Sequence, residues 1–450
     1  MKFCIISGSM ECAGFAYRLE EEGNTVYVWN KDRYFNEVLT GFPNIKRFYA
    51  SSTPLKDFIK RNIDAIFIFD GSEFGTLQSA MRKNGYRVVG SNEVGDRLEK
   101  DRIWGTQLAK KLGIRVPTSI EVKSIDDTIK YIKGRPRKYI VKQTDNLPKT
   151  LNWKASRDDS EDLIKHLLTI KGKYQHSLDG QIVVQDYIEG YEVAIAGWFN
   201  GADWIRQDGQ ILTEINFENK ALLDGGHGLS TGEMGTGMYF QLGLNRMFLE
   251  MVHPLTPILA KTRYVGCVDA NCIVNTNGIY LLEHTLRFGY PISDLYLELL
   301  NVPFGSFMSR LATGYTDGYM FDTDNKGIVL TLAFPTFPYE TVNNVKESFY
   351  NEIIDFSRLT PEDMKHVHYS EVKKMTLGDY TNQIGIASSF GYALTITGKD
   401  KDISLANTKA LRILERIIPS SKGFYRKDIG RATLERMGQP LVQQVLSPTT

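Results

Sequence analysis

The residues best suited to chemistry lie along 264–285, a stretch that reads as a β-hairpin. Alternation along a strand puts Cys267, Asp269 and Asn271 on one face of the first arm. In the second arm, Leu281, Glu283 and Thr285 share a face. The turn decides whether the two sets meet. A two-residue loop, Asn277-Gly278, pairs Glu283 with Cys272 and separates the acids. A three-residue loop, 276–278, pairs Asn271 with Glu283 and Asp269 with Thr285. That register gathers oxygen donors of the kind Mg²⁺ takes together with phosphate oxygens. The same residues also read as plain solvent-face polars on a half-exposed hairpin. Both readings stay open here.

Two other motifs carry less. Gly228-Leu229-Ser230-Thr231-Gly232 matches G-x-S-x-G, but a hydrolase needs that motif on a strand–turn–helix. Here glycines crowd both sides. The turn Gly8-Ser9-Met10-Glu11-Cys12-Ala13 lacks the second and third glycines of a dinucleotide fingerprint. It reads as a structural turn.

The elements that must position these residues form three segments over 450 residues. In 1–97, short apolar runs at 3–6, 26–29, 66–69 and 88–89 alternate with helical stretches such as 74–83. Buried strands alternating with helices imply a parallel sheet covered on both faces. The spacing predicts one charged amphipathic helix over 97–112. A smaller α+β unit follows at 119–195, with strands at 139–142, 182–186 and 193–198 and helices at 125–132 and 160–168. The stretch 224–237 is so dense in glycine that it reads as a backbone-led loop rather than an element. The last segment, 327–450, carries strands at 327–333 and 392–397. Its helix has Ala410, Ile413, Leu414 and Ile417 at i, i+3, i+4 and i+7.

Composition excludes several classes. Hydrophobic residues are 42% and charged residues 24%, as in ordinary globular domains. A net charge of +1 argues against a nucleic-acid or acidic-lipid surface. Cys4, Cys12, Cys267 and Cys272 lack both disulfide-scaffold number and zinc spacing, which suits a reducing compartment. No apolar run approaches the ~20 residues of a membrane span, and 3–6 is too short for a signal peptide. The expectation is a cytoplasmic protein with small-molecule substrates, its state as monomer or homo-oligomer open.

The order of features carries more. Lys142 closes a strand, Gln185-Asp186-Tyr187-Ile188-Glu189-Gly190-Tyr191-Glu192 follows, then the glycine-rich stretch, then Leu282-Glu283-His284-Thr285-Leu286-Arg287-Phe288-Gly289. Val89-Gly90-Ser91 and Leu98-Glu99 precede them. Thr231-Gly232-Glu233-Met234-Gly235 is similar to T-G-G-M-G, and 282–289 to L-E-F-N-x-R-F-G. Phe424-Tyr425-Arg426-Lys427-Asp428-Ile429-Gly430 is similar to F-Y-R-x-D-I-G. Together they resemble the ATP-grasp carboxylate–amine ligases, and within them the phosphoribosylamine–glycine ligases.

The resemblance implies an α/β ATP-grasp fold. Its parts would be an N-terminal parallel-sheet domain (1–97), an ATP-grasp domain (98–326) with an α+β lid (119–195), and a C-terminal α+β domain (327–450). It implies ATP and Mg²⁺, an amino acid and an amine as substrates, and an acyl-phosphate intermediate. Lys142 and Arg102 would bind ATP phosphates, with the backbone of Gln185, Asp186, Tyr187 and Ile188 on adenine and Glu192 on ribose. Glu283 would ligate Mg²⁺, with Asp269, Asn271 and Thr285. Arg287 and Lys142 would act in catalysis. Asp224, Thr231, Gly232, Met234, Arg287, Gly289 and Arg426 would contact substrates.

The sequence also departs from the pattern. The phosphate-covering loop at 143–150 holds no glycine, Thr285 replaces the family's Asn, and Tyr290-Pro291-Ile292 replaces D-P-E. These departures imply a different carboxylate or amine, such as a modified nucleobase, or a nucleotide-binding scaffold without catalysis.

Overall fold

The structure is a computed structural model describing residues 1–143, 152–174, 182–335, 337–338, 349–388, 390–417 and 423–449. The phosphate-covering loop expected at 143–150 lies, after Gln143, outside the described residues. The chain packs into two compact units. One comprises Met1–Asp96, Val193–Asp269 and Thr285–Thr450; the other comprises Arg97–Glu192 and Ala270–His284. The three segments drawn from the sequence follow motif order rather than packing. The first and third therefore fall, but for Arg97, within the larger unit.

In the larger unit, five parallel strands run in the order Ile45–Tyr49, Thr25–Asn30, Lys2–Ser7, Ile66–Phe69, Arg87–Val89. Phe3, Cys4, Ile5 and Ile6 are all fully buried, as expected of a sheet covered on both faces. Helices Ala13–Glu21, Leu55–Lys60 and Gly75–Lys83 connect the strands. The Ile45–Tyr49 strand escapes a reading for apolar runs. It is the edge strand, and its IKRFY sequence interleaves charge.

A second, antiparallel sheet gives this unit its main core. Gln210–Glu218 pairs with Tyr191–Asn200 and Gly235–Leu242, and Lys326–Ala333 pairs with Gly235–Leu242 and Tyr392–Asp400. Against it pack helix Ile292–Leu299, buried along its whole length, and helix Ile403–Arg416. The apolar stripe of the latter is Ala406, Ala410, Ile413 and Leu414, one helix face at the expected spacing. The glycine-rich stretch is not all loop. Ala221–Leu223 pairs antiparallel with His227–Ser230, joined by a turn at Asp224–Gly226 in which Gly225 (φ +72°) and Gly226 (φ +75°) take the left-handed conformation. No helix follows Ser230, as a hydrolase nucleophile turn requires.

The smaller unit is built on four antiparallel strands in the order Ser119–Val122, Ile182–Asp186, Tyr139–Gln143, Trp153–Lys154. Helices Ile125–Gly134 and Glu161–Tyr174 cover it, with Ile125, Ile132, Leu163, Ile182 and Val184 in the core. The single helix expected over 97–112 is two, Glu93–Lys100 and Arg102–Lys111. Asp101 divides them, its carboxylate accepting from Trp104 N–H at 2.9 Å as an N-cap. An aspartate placed to cap restarts a helix where hydropathy alone reads straight through.

The hairpin strands are Val265–Asn275 and Gly278–Thr285, so its turn is Thr276-Asn277. This corrects both expected loops. Asn275 Oδ1 accepts from Asn277 N–H at 2.9 Å, starting the turn one residue earlier than a Gly-centred loop. Gly278 (φ +126°) opens the returning strand, and Arg115 donates to the Asn277 carbonyl beside it.

Candidate active site

The smaller unit contains a cavity of about 260 Å³. Its floor comes from the Arg102–Lys111 helix, its sides from the Tyr139–Gln143 and Ile182–Asp186 strands, and one wall from the returning hairpin strand. Arg102, Lys142, Gln185 and Glu283 all line it. Four of the residues expected at the nucleotide are thus gathered in one place. Arg102 Nη1 lies 3.4 Å from Glu283 Oε2, and the side chains are 36% and 42% exposed. At that exposure the pair is worth little to stability. Both groups stay accessible to a ligand, one as a cation and one as a hard oxygen donor.

The hinge residues divide. Gln185 sits within its strand with Ser119 on one side and Ile140 on the other, so its backbone serves the sheet. Asp186 N–H donates to Thr118 O at 2.8 Å and Tyr187 N–H to Lys138 O at 3.0 Å. The backbone N–H groups of Asp186 and Tyr187 are thus engaged within the chain. Among the described residues, only the Ile188 N–H of this group has no backbone carbonyl partner. Gln185 instead contributes its side chain: Oε1 is buried and accepts no hydrogen bond from the described residues. The Asp186 side chain pairs with Arg137 at 3.1 Å, and Lys138 and Lys154 each stand 4.6 Å over the Tyr187 ring. Glu192 is the second residue of the Tyr191–Asn200 strand and does not line the cavity.

The remaining metal candidates differ in access. Asn271 is 3% exposed and Thr285 half-buried. Asp269 belongs to the larger unit, where its Oδ2 accepts from Asn216 Nδ2 at 3.0 Å. Burial, with Glu218 and Glu214 nearby, holds its carboxyl well above the usual range. Among the described residues, no three His, Cys, Asp or Glu side chains are arranged to hold a metal ion.

The expected substrate residues, all in the larger unit, also separate. Arg426 is 3% exposed. Its Nε and Nη2 donate to Asp428 at 2.8 Å each, and Nη1 donates to Ala221 O at 3.0 Å. Asp428 also accepts from Gly225 N–H, and Asp224 from Lys427 N–H. Arg426 thus acts as a strut tying the C-terminal turn to the glycine-rich hairpin. Met234 is fully buried, so its side chain belongs to the core rather than to a ligand. Thr231 Oγ1 donates to Lys220 O at 2.8 Å. Gly232 is exposed, Gly289 is half-buried, and Arg287 Nη1 donates to Phe288 O at 2.7 Å.

The chain is similar to known proteins along most of its length. Residues 100–293 match the family model described as phosphoribosylglycinamide synthetase, ATP-grasp (A) domain. The chain is 23% identical over 372 residues to the phosphoribosylamine–glycine ligase of Helicobacter pylori, covering 80% of each. It is 21% identical over 446 residues to that of Fusobacterium nucleatum, covering 96% of this chain and 98% of the relative. The crystal structure of phosphoribosylamine–glycine ligase from Thermotoga maritima matches with a TM-score of 0.68 and 17% identity, over 95% of this chain and 100% of that one. The chain has the ATP-grasp fold, and its residues 100–293 resemble the ATP-grasp domain of these ligases.

Within an ATP-grasp frame, one group of residues stands out that sequence reasoning missed. Glu214 and Glu233, 1% and 4% exposed, lie in the same unit as Asp269. Burial pushes Glu214 up to about 7 and Glu233 well above the carboxylate range. Glu214 is hidden in a strand that is buried at seven successive positions, so alternation gives no warning of it. Glu233 did leave a signal, as the carboxylate in place of the second glycine of T-G-G-M-G.

Proposed function

We propose that this protein is an ATP-dependent carboxylate–amine ligase that joins glycine or a related amino acid to phosphoribosylamine or a related amine. The observation that carries the reading is the cavity shared by Arg102, Lys142, Gln185 and Glu283. Its cations suit a polyphosphate, and its buried Gln185 acceptor suits an exocyclic amine of a base. Glu283 fits Mg²⁺ by type and access. With no complete protein cage among the described residues, nucleotide phosphate oxygens would finish the ion's shell. Mg²⁺, when bound, supplies charge neutralisation on those oxygens.

A carboxylate is a poor acyl donor, so its oxygen first attacks the γ-phosphorus of ATP, releasing ADP and leaving an acyl phosphate. Arg102 and Lys142 stabilise the negative charge that spreads over the transferring group. The amine then attacks the acyl carbon, phosphate leaves, and the nitrogen gives up its proton to form the amide. Arg287 would orient the acyl group or its phosphate. The reading places this work in the cytoplasm; separately, among the described residues no helix is long and apolar enough to cross a membrane.

Thr285 and Glu233, where the family pattern has Asn and Gly, favour a second reading within the class: the same chemistry on a different amine. One experiment tests both. Incubation with ATP, Mg²⁺, hydroxylamine and a panel of carboxylates should give a hydroxamate with ADP release that depends on the carboxylate. Failure of every carboxylate to release ADP would remove the ligase reading. Hydroxamate from glycine without turnover of phosphoribosylamine would select the different amine.

A further inference from the structure

The Gln210–Glu218 strand, the 231–235 turn and the start of the Val265–Asn275 strand gather carboxylates inside the larger unit. Glu233 lies within electrostatic reach of Glu218 and Asp269, and Asp269 within reach of Glu214 and Glu218. The cations nearby are Lys220, 2.8 Å from Glu218, and Arg436, whose guanidinium donates to the carbonyls of Phe217 and Glu218 and to Asn219. Four acids face two bases. Burial favours the neutral acid at Glu214, Glu233 and Asp269, so a cation placed among them would be met by carboxyls that ionise around it.

A second observation is independent of charge. Glu214 Oε2, Asn216 Oδ1 and Glu233 Oε1 are buried and receive no hydrogen bond from the described residues. Their residues are only 1%, 1% and 4% exposed. Rotating the Asn216 amide does not solve this, because its Nδ2 already donates to Asp269 at 3.0 Å and to Glu214 at 3.2 Å. Buried polar oxygens without partners are costly, and three in one cluster call for a guest rich in N–H, toward which the two carboxyls would accept once ionised. Metal-ion spacing is absent among the described residues. A primary ammonium group brings three N–H donors and one positive charge, which answers both deficits.

We propose that this cluster binds the primary ammonium group of a small-molecule substrate, with Glu233 and Asn216 accepting its N–H donors. The inference rests on the ligase reading, which supplies two such groups, on the amino acid and on the amine. Glu233 replaces a glycine of the family pattern, so this anchor distinguishes the chain from the ligases it resembles.

The test uses the full-length protein without nucleotide, so that it does not depend on ATP turnover. Calorimetry and thermal melting follow titration with methylammonium chloride and, separately, glycine, at constant ionic strength. Tetramethylammonium chloride, which has no N–H donor, and MgCl₂ serve as comparisons. At least one of the two ammonium probes should saturate and raise Tm, with affinity falling about tenfold or more in Glu233→Gln. Should that variant fold poorly, Glu233→Gly, the residue of the family pattern, takes its place with the same expected loss. Saturation by glycine alone assigns the site to the amino acid; saturation by methylammonium as well assigns it to the amine. An equal response to tetramethylammonium, saturation by Mg²⁺ alone, or no saturable binding overturns the proposal. Loss of this binding with hydroxamate still formed leaves the ligase reading intact. Ammonium binding without hydroxamate has the converse meaning.

Discussion

Exposure separates the residues that can do chemistry from those that hold the fold. Glu283 carries a side chain 42% exposed to a cavity, whereas Arg426 is 3% exposed and spends its guanidinium on Asp428 and Ala221. Glu283→Gln keeps the size and removes the charge. It should lower ATP turnover about a hundredfold or more while leaving Tm nearly unchanged. Turnover at the wild-type rate would withdraw Glu283 from the metal. Arg426→Ala should do the reverse, costing about 3–5 kcal/mol of stability by leaving Asp428 buried without its partner. Denaturant unfolding checks this, and a raised KM for the amine at unchanged stability would return Arg426 to the substrate site. The sequence made Glu283 legible because an acid on a β-arm stands out against Leu281 and Leu282. For Arg426 a linear motif does not separate a grip from a strut; the ion pair with Asp428, two residues on, is what the structure adds. Glu214 was invisible: only the fold shows which of its neighbours lack donors.

At the scale of elements, helix Ile292–Leu299 is locked to the antiparallel sheet through two buried acids, Asp294 on Thr395 and Glu298. Glu298, 6% exposed, accepts from Thr397 Oγ1 and faces His366 Nδ1, both at 2.8 Å. Lys399 stands at 3.8 Å, and the buried His368 is held down to about 3 by desolvation, so it stays neutral. The Glu298 hydrogen bond raises His366 above its ordinary 6.5. Burial alone would raise Glu298, but the His366 and Thr397 bonds outweigh it and leave the group below its ordinary 4.5. The signs follow from linkage. A raised His contributes fully below about 6.5 and loses its contribution as pH climbs through the folded value. A lowered Glu contributes above about 4.5 and loses it on acidification. The Tm difference between wild type and His366→Ala should therefore be greatest between about pH 4.5 and 6.5 and shrink above that range. A pH-independent difference would show that the pair adds nothing by charge. Elements were legible wherever hydropathy carried them, as in the 182–186 strand and the 403–416 helix. They were missed where one polar side chain decided the matter. Asp101 restarts a helix, and Asn275 sets a hairpin turn, each through a single hydrogen bond.

At the scale of the molecule, the chain passes between its two units at 96–97, 192–193, 269–270 and 284–285. The Val265–Asn275 strand belongs to both, so neither unit is a contiguous piece of sequence. This is why segment boundaries drawn from motif order did not match the packing: a reading along the chain cannot see that 270–284 folds with 97–192. Every residue lining the cavity nevertheless lies in the smaller unit. A ligand that binds only the folded form adds stability, about 2.7 kcal/mol at a hundred times its Kd, and adds it first where its contacts are. ATP with Mg²⁺ should therefore slow hydrogen exchange most in peptides spanning 98–121, 139–143, 182–192 and 278–284. The parallel sheet of residues 2–89 should change little. Glu283→Gln should weaken the response to Mg²⁺ more than the response to ATP alone, since it removes a metal ligand and leaves Lys142 and Gln185 in place. Protection centred instead on the parallel sheet would move the nucleotide to the larger unit and leave the cavity of the smaller one without its proposed occupant.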